Sequence, residues 1–265
     1  MKIFDTHAHY DDDKFLEDRQ ELLLRLHEQG VLLIMNLGST VEGCRRTLEL
    51  AEEYPFVFGA IGIHPENISE MNEEVFAWLD EMLALKRRER PAKILAVGEI
   101  GLDYHWYPEE KETQKYWLRR QIALAKKHGL PVAIHARDAA EDTLRLLKEE
   151  RADECGGVLH AFSASAEMAQ EYVKMGMYIG VGGVITYKNG KKLRHVVETV
   201  PMDRIVIETD SPYMAPVPVR GTRNNSGNLV YVVEEIAKIK EISAKEVAEI
   251  TFENGKKLYR FTDDP

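Results

Sequence analysis

Five of the nine histidines in this 265-residue chain stand at the ends of short apolar runs, with carboxylates close by. His7 and His9 are two residues apart in Asp5-Thr-His-Ala-His9. In an extended segment, positions i and i+2 point the same way, so both imidazoles can reach one cation. Glu99 follows a nearly unbroken apolar run. A carboxylate there is costly unless it is paired or bound to metal, and its two oxygens can bridge two cations. His135 closes Pro131-Val-Ala-Ile-His135, His160 closes Gly157-Val-Leu-His160, and Asp210 follows Ile205-Val-Ile-Glu-Thr. Imidazoles and carboxylates gathered in one mouth without metal would repel one another or stay unsatisfied. The chemistry that fits is hydrolysis by a water made acidic between two divalent cations. Four imidazoles favour Zn or Mn over Mg by ligand type.

The elements that must position these residues are legible as alternation. The apolar runs are Ile3–Asp5, Val31–Leu37, Phe56–Ile61, Ile94–Val97, Pro131–His135, Gly157–His160, Met177–Val181 and Ile205–Glu208. They read as buried parallel strands, Val- and Ile-rich and bounded by Gly or Pro. Helical stretches lie between them, with Leu16, Leu23 and Leu26 after the first strand and Leu118, Ile122 and Ala125 after the fourth. Ser39 with Glu42, Asp138 with Glu141, and Ser243 with Glu246 have the spacing of helix N-caps. Gly30, Gly129 and Gly176 stand where left-handed C-caps would end helices.

Eight such units predict an α/β fold, a (β/α)8 TIM barrel with an additional C-terminal helix. A doubly wound open sheet is the alternative, but no GxGxxG sequence supports a dinucleotide-binding version. Barrel chemistry sits at the C-terminal ends of strands, where the residues above stand. Strand eight lies beside strand one in a closed barrel, so Asp210 is expected to face His7 and His9. The expected partition is one cation on His7, His9, Glu99 and Asp210, and a second on Glu99, His135 and His160. Asp210 would also take the proton of the attacking water.

Composition narrows the setting. No linker or low-complexity tract divides residues 1–265, which read as one domain. The formal charge of −10 argues against a broad basic face for nonspecific nucleic-acid binding, though not against a phosphate bound locally at metal. Two cysteines, no long apolar run and no signal-like N-terminus fit a reduced cytoplasm, no membrane and a monomer.

Other residues have two readings each. His64, in Gly62-Ile-His-Pro65, either contacts substrate or caps its turn. Arg137 either binds phosphate or pairs with Asp138 or Glu141. Arg220 and Arg223, in the Pro-rich loop after strand eight, either capture an anion or are solvated surface charges. Trp106 and Tyr107 either stack on a base or pack at the rim. Asp103 would orient a ligand or bind a further metal, and Glu208 would support Asp210.

Taken in order, these motifs resemble the TatD family of metal-dependent nucleases, within the amidohydrolase-like barrel superfamily. The matching segments are Asp5-Thr-His-Ala-His9, Gly62-Ile-His-Pro65, Val97-Gly-Glu-Ile-Gly-Leu-Asp-Tyr104, Leu130-Pro-Val-Ala-Ile-His-Ala-Arg-Asp138, Gly157-Val-Leu-His-Ala-Phe-Ser163, and Glu208-Thr-Asp-Ser-Pro-Tyr213 through Arg220-Gly-Thr-Arg-Asn224. The resemblance implies a deoxyribonuclease-like phosphodiesterase, 3′-5′ exonuclease in type, with His7, His9, Glu99, His135, His160 and Asp210 as ligands. It also allows activity supported by Mg. Ala161, Ala164 and His105 depart from the residues usual in the family; none is a ligand. A bridging Glu99, with no Lys at the strand ends, separates the chain from the branch that uses a carboxylated lysine. A small-molecule amidohydrolase or lactonase is the competing enzyme, and a non-catalytic binding module is the third reading.

Overall fold

The computed structural model describes residues 1–86 and 92–261. Eight parallel strands follow one another in sequence order around a nearly closed barrel. The first half comprises β1 (Ile3–Ala8), α1 (Arg19–Glu28), β2 (Val31–Leu37), α2 (Val41–Glu53), β3 (Val57–Ile61), α3 (Glu73–Lys86), β4 (Ile94–Asp103) and α4 (Lys111–His128). The second comprises β5 (Val132–Arg137), α5 (Ala140–Glu149), β6 (Gly157–Leu159), α6 (Ala166–Lys174), β7 (Tyr178–Val181), α7 (Lys191–Thr199), β8 (Ile205–Ile207), α8 (Leu229–Lys240) and the additional C-terminal α9 (Ala244–Leu258). A single parallel bridge, Ala8 to Ser211, joins the two edges of the sheet. His9 N donates to Ser211 O at 2.8 Å, and Asp210 N donates to His7 O at 2.9 Å. Closure thus brings the first and last site motifs side by side.

Two apolar layers hold this arrangement. Helix faces such as Leu23 and Leu26 of α1 and Leu118, Ile122 and Ala125 of α4 pack on the outside of the strands. A second cluster takes Phe4, Leu33, Met35, Leu37, Phe58, Ala133, Val158 and Val206 from strands around the ring, together with Phe252 and Tyr259 at the C-terminus. The Phe4 ring centroid is 6.2 Å from Phe252, 5.9 Å from Tyr259 and 5.7 Å from Phe261. Gly255 allows this approach, since a Cβ there would lie 2.5 Å from Phe4 Cδ1. The C-terminal segment therefore anchors on Phe4, three residues before the first histidine ligand candidate.

Local signals decide some helix ends, and tertiary contacts decide others. Ser243 and Glu246 form a reciprocal capping box on α9. Gly129 ends α4 in the left-handed conformation, and Gly30 and Gly176 follow α1 and α6 at φ +103° and +79°. Helix α2 is capped by Thr40, whose Oγ1 accepts from Gly43 N at 2.9 Å, not by Ser39. The Ser39 carbonyl instead accepts from His64 N at 3.0 Å. Nor does Asp138 cap α5: it adopts φ +52°, and its carboxylate lies 3.0 Å from His105 Nδ1. Leu16, expected on the first helix, lies before it and is 57% exposed. Among the described residues no helix is long and apolar enough to cross a membrane.

Candidate metal centre

The strand ends deliver seven donor side chains to one place. His7 lies on β1 and His9 just past it, with their Nε2 atoms 3.1 Å apart. Glu99 projects from within β4, which runs six residues further than its apolar stretch predicts. Its Oε2 lies 3.3 Å from His7 Nε2 and 3.5 Å from His9 Nε2. Its Oε1 lies 3.0 Å from His135 Nδ1, 3.3 Å from His64 Nε2 and 3.6 Å from His160 Nε2. Asp210 Oδ1 is 3.4 Å from His9 Nε2, 3.5 Å from His160 Nε2 and 3.7 Å from His7 Nε2. The two Glu99 oxygens thus face different sets of imidazoles.

Three overlapping groups of donors lie close enough to hold a cation: His7, His9 and Glu99; His7, His160 and Asp210; His64, Glu99 and His135. Imidazole nitrogens with carboxylate oxygens suit Zn, Mn and similar ions. The His7 and His9 Nε2 atoms face each other at 3.1 Å, and His7 Nδ1 is buried with no hydrogen-bond partner. These residues fit divalent cations. Of the expected sets, His7, His9 and Glu99 come together, and His160 lies within reach of both Glu99 and Asp210. His160 stacks on His7 at 3.5 Å and faces Asp210, while His64 stands beside Glu99 and His135. His64 caps its turn: Nδ1 accepts from Glu66 N at 3.1 Å at the head of Pro65–Glu70, which leaves the proton of the neutral ring on Nε2, 3.3 Å from Glu99 Oε1.

Outer contacts orient the rings. His9 Nδ1 lies 2.8 Å from the Leu37 carbonyl, which fixes the proton on that nitrogen in the neutral ring and frees Nε2. His135 Nε2 lies 2.9 Å from Asp103 Oδ2, which leaves Nδ1 for Glu99. Glu208 supports His160 rather than Asp210: its Oε1 is 3.1 Å from His160 Nδ1 and accepts from Ala161 N at 2.5 Å. Chain direction after Ile207 explains this, since residues 208 and 210 point to different neighbours. Asp5, quoted in the sequence only as part of its motif, lies fully buried beneath the site. It accepts from Ser226 Oγ at 2.7 Å, Thr209 Oγ1 at 2.6 Å and Thr209 N at 3.0 Å. Its short apolar run with a polar residue inside is the signal that could have found it.

The cluster is electrostatically coupled. Burial opposes charge on His9, His135 and His160, but carboxylates outweigh it. Asp210 holds His9 up at about 10, Asp103 and Glu99 hold His135 at about 9, and Glu208 and Glu99 hold His160 at about 9. His7 goes the other way, to about 4, because burial and the neighbouring His160 both disfavour its charge. Burial also opposes charge on Glu99 and Asp210, yet the surrounding imidazoles keep both below the usual carboxylate range. Asp5 rises to about 6 through burial, against its hydrogen bonds.

Above the cluster a cavity of about 920 Å³ opens to solvent. Its walls include His9, His64, Glu99, His135, His160 and Asp210, with Arg137, Trp106 and Tyr213 higher up. Arg46 of α2, which the sequence reading did not single out, also lines it, held by Asp13 at 2.5 Å and Glu42 at 3.3 Å. Arg220 and Arg223 are not among the lining residues. Arg223 is committed to Asp18, with Nη1 to Oδ1 at 2.8 Å, and it also donates to the Lys14 carbonyl at 2.6 Å. Arg220 lies over the Tyr187 ring at 4.2 Å. In this structure, then, Arg223 is paired and Arg220 stacked, and neither lines the cavity. Tyr107 is half-exposed and also outside the lining.

Comparison with known proteins agrees with this architecture. The family model described as TatD related DNase matches residues 4–260. A Bacillus subtilis protein named as the uncharacterized metal-dependent hydrolase YabD is 45% identical over 97% of this chain and 99% of its own length. The 3′-5′ ssDNA/RNA exonuclease TatD of a Rahnella strain is 30% identical over 97% of this chain and 98% of its own. The crystal structure of the Escherichia coli TatD homologue YjjV superposes with a TM-score of 0.90 at 33% identity, covering 97% of this chain and 98% of that one. The chain belongs to the TatD-related DNase family of metal-dependent hydrolases.

Proposed function

We propose that this hydrolase cleaves phosphodiester bonds of single-stranded nucleic acid, using two divalent cations held by His7, His9, Glu99, His135, His160 and Asp210. The observation that carries the reading is Glu99, whose two oxygens face separate imidazole sets at the floor of an open cavity. When bound, the cations supply Lewis acidity toward a water nucleophile and toward the ester oxygens. Asp210 stands at the edge of the cluster with its oxygen shared among three imidazoles, placed to take the proton of the water. Arg137 on the wall is the cation that would pair with a phosphate of the bound substrate. The name of the Rahnella relative supports the same substrate class.

The rim sets the direction of approach. Asp11, Asp12, Asp13, Glu42 and Glu66 line one side of the cavity and repel a polyanion. A nucleic-acid strand therefore reaches the centre away from this carboxylate side, by its end rather than along a broad basic groove. The test is cleavage of a labelled single-stranded oligonucleotide by metal-stripped protein titrated with Mn, Mg and Zn, with Asp210→Asn alongside. Metal-restored cleavage with a ladder shortened from one end is expected. No cleavage with any metal would move the reading to amide or lactone hydrolysis.

A further inference from the structure

We infer that Trp106 and Arg137 form a seat for a nucleobase and its phosphate beside the metal centre; the inference rests on the phosphodiester reading. Trp106 is 57% exposed on the wall of the cavity that holds the metal-ligating candidates. An indole left this open forgoes the burial that normally holds it, and a ligand in the cavity would cover it. The Arg137 guanidinium carbon lies 5.3 Å from the ring centroid. The His105 ring meets the indole edge-on, at 4.6 Å and 87°. Arg137 makes no ion pair among the described residues, because Asp138, its expected partner, turns to His105.

The position of the indole is tied to the catalytic geometry. Asp103 Oδ1 accepts from Trp106 N at 3.0 Å and from His105 N at 2.9 Å. Its other oxygen holds His135 at 2.9 Å. One buried carboxylate therefore sets both a metal-centre imidazole and the backbone of the tryptophan. Arg137 arrives independently, on β5, whose register places it opposite Asp103. An exposed π-face with a free guanidinium beside it recognises a flat heterocycle carrying an adjacent phosphate. An aliphatic ester or a lactone offers nothing to such a face.

Two measurements test this. In the first, metal-free protein, which cannot turn over, is titrated with a five-residue single-stranded oligonucleotide while tryptophan fluorescence is followed. Quenching is expected in the wild type and loss of it in Trp106→Ala, while anisotropy of the oligonucleotide carrying a dye should show partial retention of affinity in Trp106→Phe. The second compares metal-loaded cleavage of a natural oligonucleotide with one that lacks the base next to the scissile bond. The wild type should prefer the natural one by roughly 5- to 150-fold, the range for one stacked base. Trp106→Ala should bring the natural substrate down to the abasic one, and Arg137→Gln should raise KM more than it lowers kcat. An unchanged preference in Trp106→Ala overturns the seat. If the wild type cleaves no oligonucleotide with any metal, the phosphodiester reading fails, yet quenching that depends on Trp106 still supports base binding. Absence of both removes the seat as well.

Discussion

Asp103 Oδ2 lies 2.9 Å from His135 Nε2, and this contact turns His135 Nδ1 to within 3.0 Å of Glu99. The pairing is electrostatically mutual. Burial opposes charge on Asp103, but the hydrogen bond to His135 holds it at about 2. Removing such an outer partner typically costs about 10- to 100-fold in metal affinity. Asp103→Asn should therefore weaken metal binding by that order, with activity recovering at raised metal concentration. Competition against a chelating indicator measures it. Wild-type affinity would leave Asp103 with only its backbone contacts.

Asp210→Asn separates chemistry from folding. Asp210 sits at φ +56°, a conformation that Asn tolerates better than most residues. The variant should keep a near-native thermal midpoint and lose about 10²- to 10⁴-fold in turnover, the usual contribution of a positioned proton acceptor. Full turnover would assign the proton to another group.

Metal and protons should compete for the same nitrogens. In the metal-free protein His9, His135 and His160 titrate at about 10, 9 and 9, against an ordinary 6.5. A raised pKa contributes stability that is complete below 6.5 and is lost as pH rises through the folded value. The thermal midpoint of chelator-treated protein should thus fall between pH 7 and 10. His7, at about 4, has finished its own change by pH 6.5 and adds no slope in that window. Metal loading should release protons near pH 7.5 and flatten the profile. Calorimetry in buffers of different ionisation enthalpy reads the release directly; heats independent of buffer would contradict this protonation pattern.

Arg223 offers a contrast with Arg137. Its pairing with Asp18 is about a third exposed on each side. Such pairs contribute about 0.2–1 kcal/mol. Arg223→Ala should lower stability by about that amount in a denaturant titration and change kcat/KM for an oligonucleotide by less than about threefold. A loss resembling that of Arg137→Gln would return Arg223 to the substrate path.

The sequence by itself determined what depends on neighbours along the chain. Alternating runs placed the eight strands, and Ser243 with Glu246 and Gly129 placed helix ends, because capping and periodicity are local. Barrel topology then carried His7, His9, Glu99, His135, His160 and Asp210 to one mouth, since each lies in the C-terminal half of a parallel strand or just past it. Only the tertiary structure decided who meets whom. Thr209 and Ser226 reach Asp5 across more than 200 residues, Arg223 finds Asp18 across 205, and Glu208 takes His160 across 48. The same holds for His64 standing beside Glu99 and for Thr40 capping in place of Ser39. These outcomes depend on the angle at which each loop leaves its strand. That angle is set by packing between loops and by closure of β8 on β1, interactions that no short window of sequence contains.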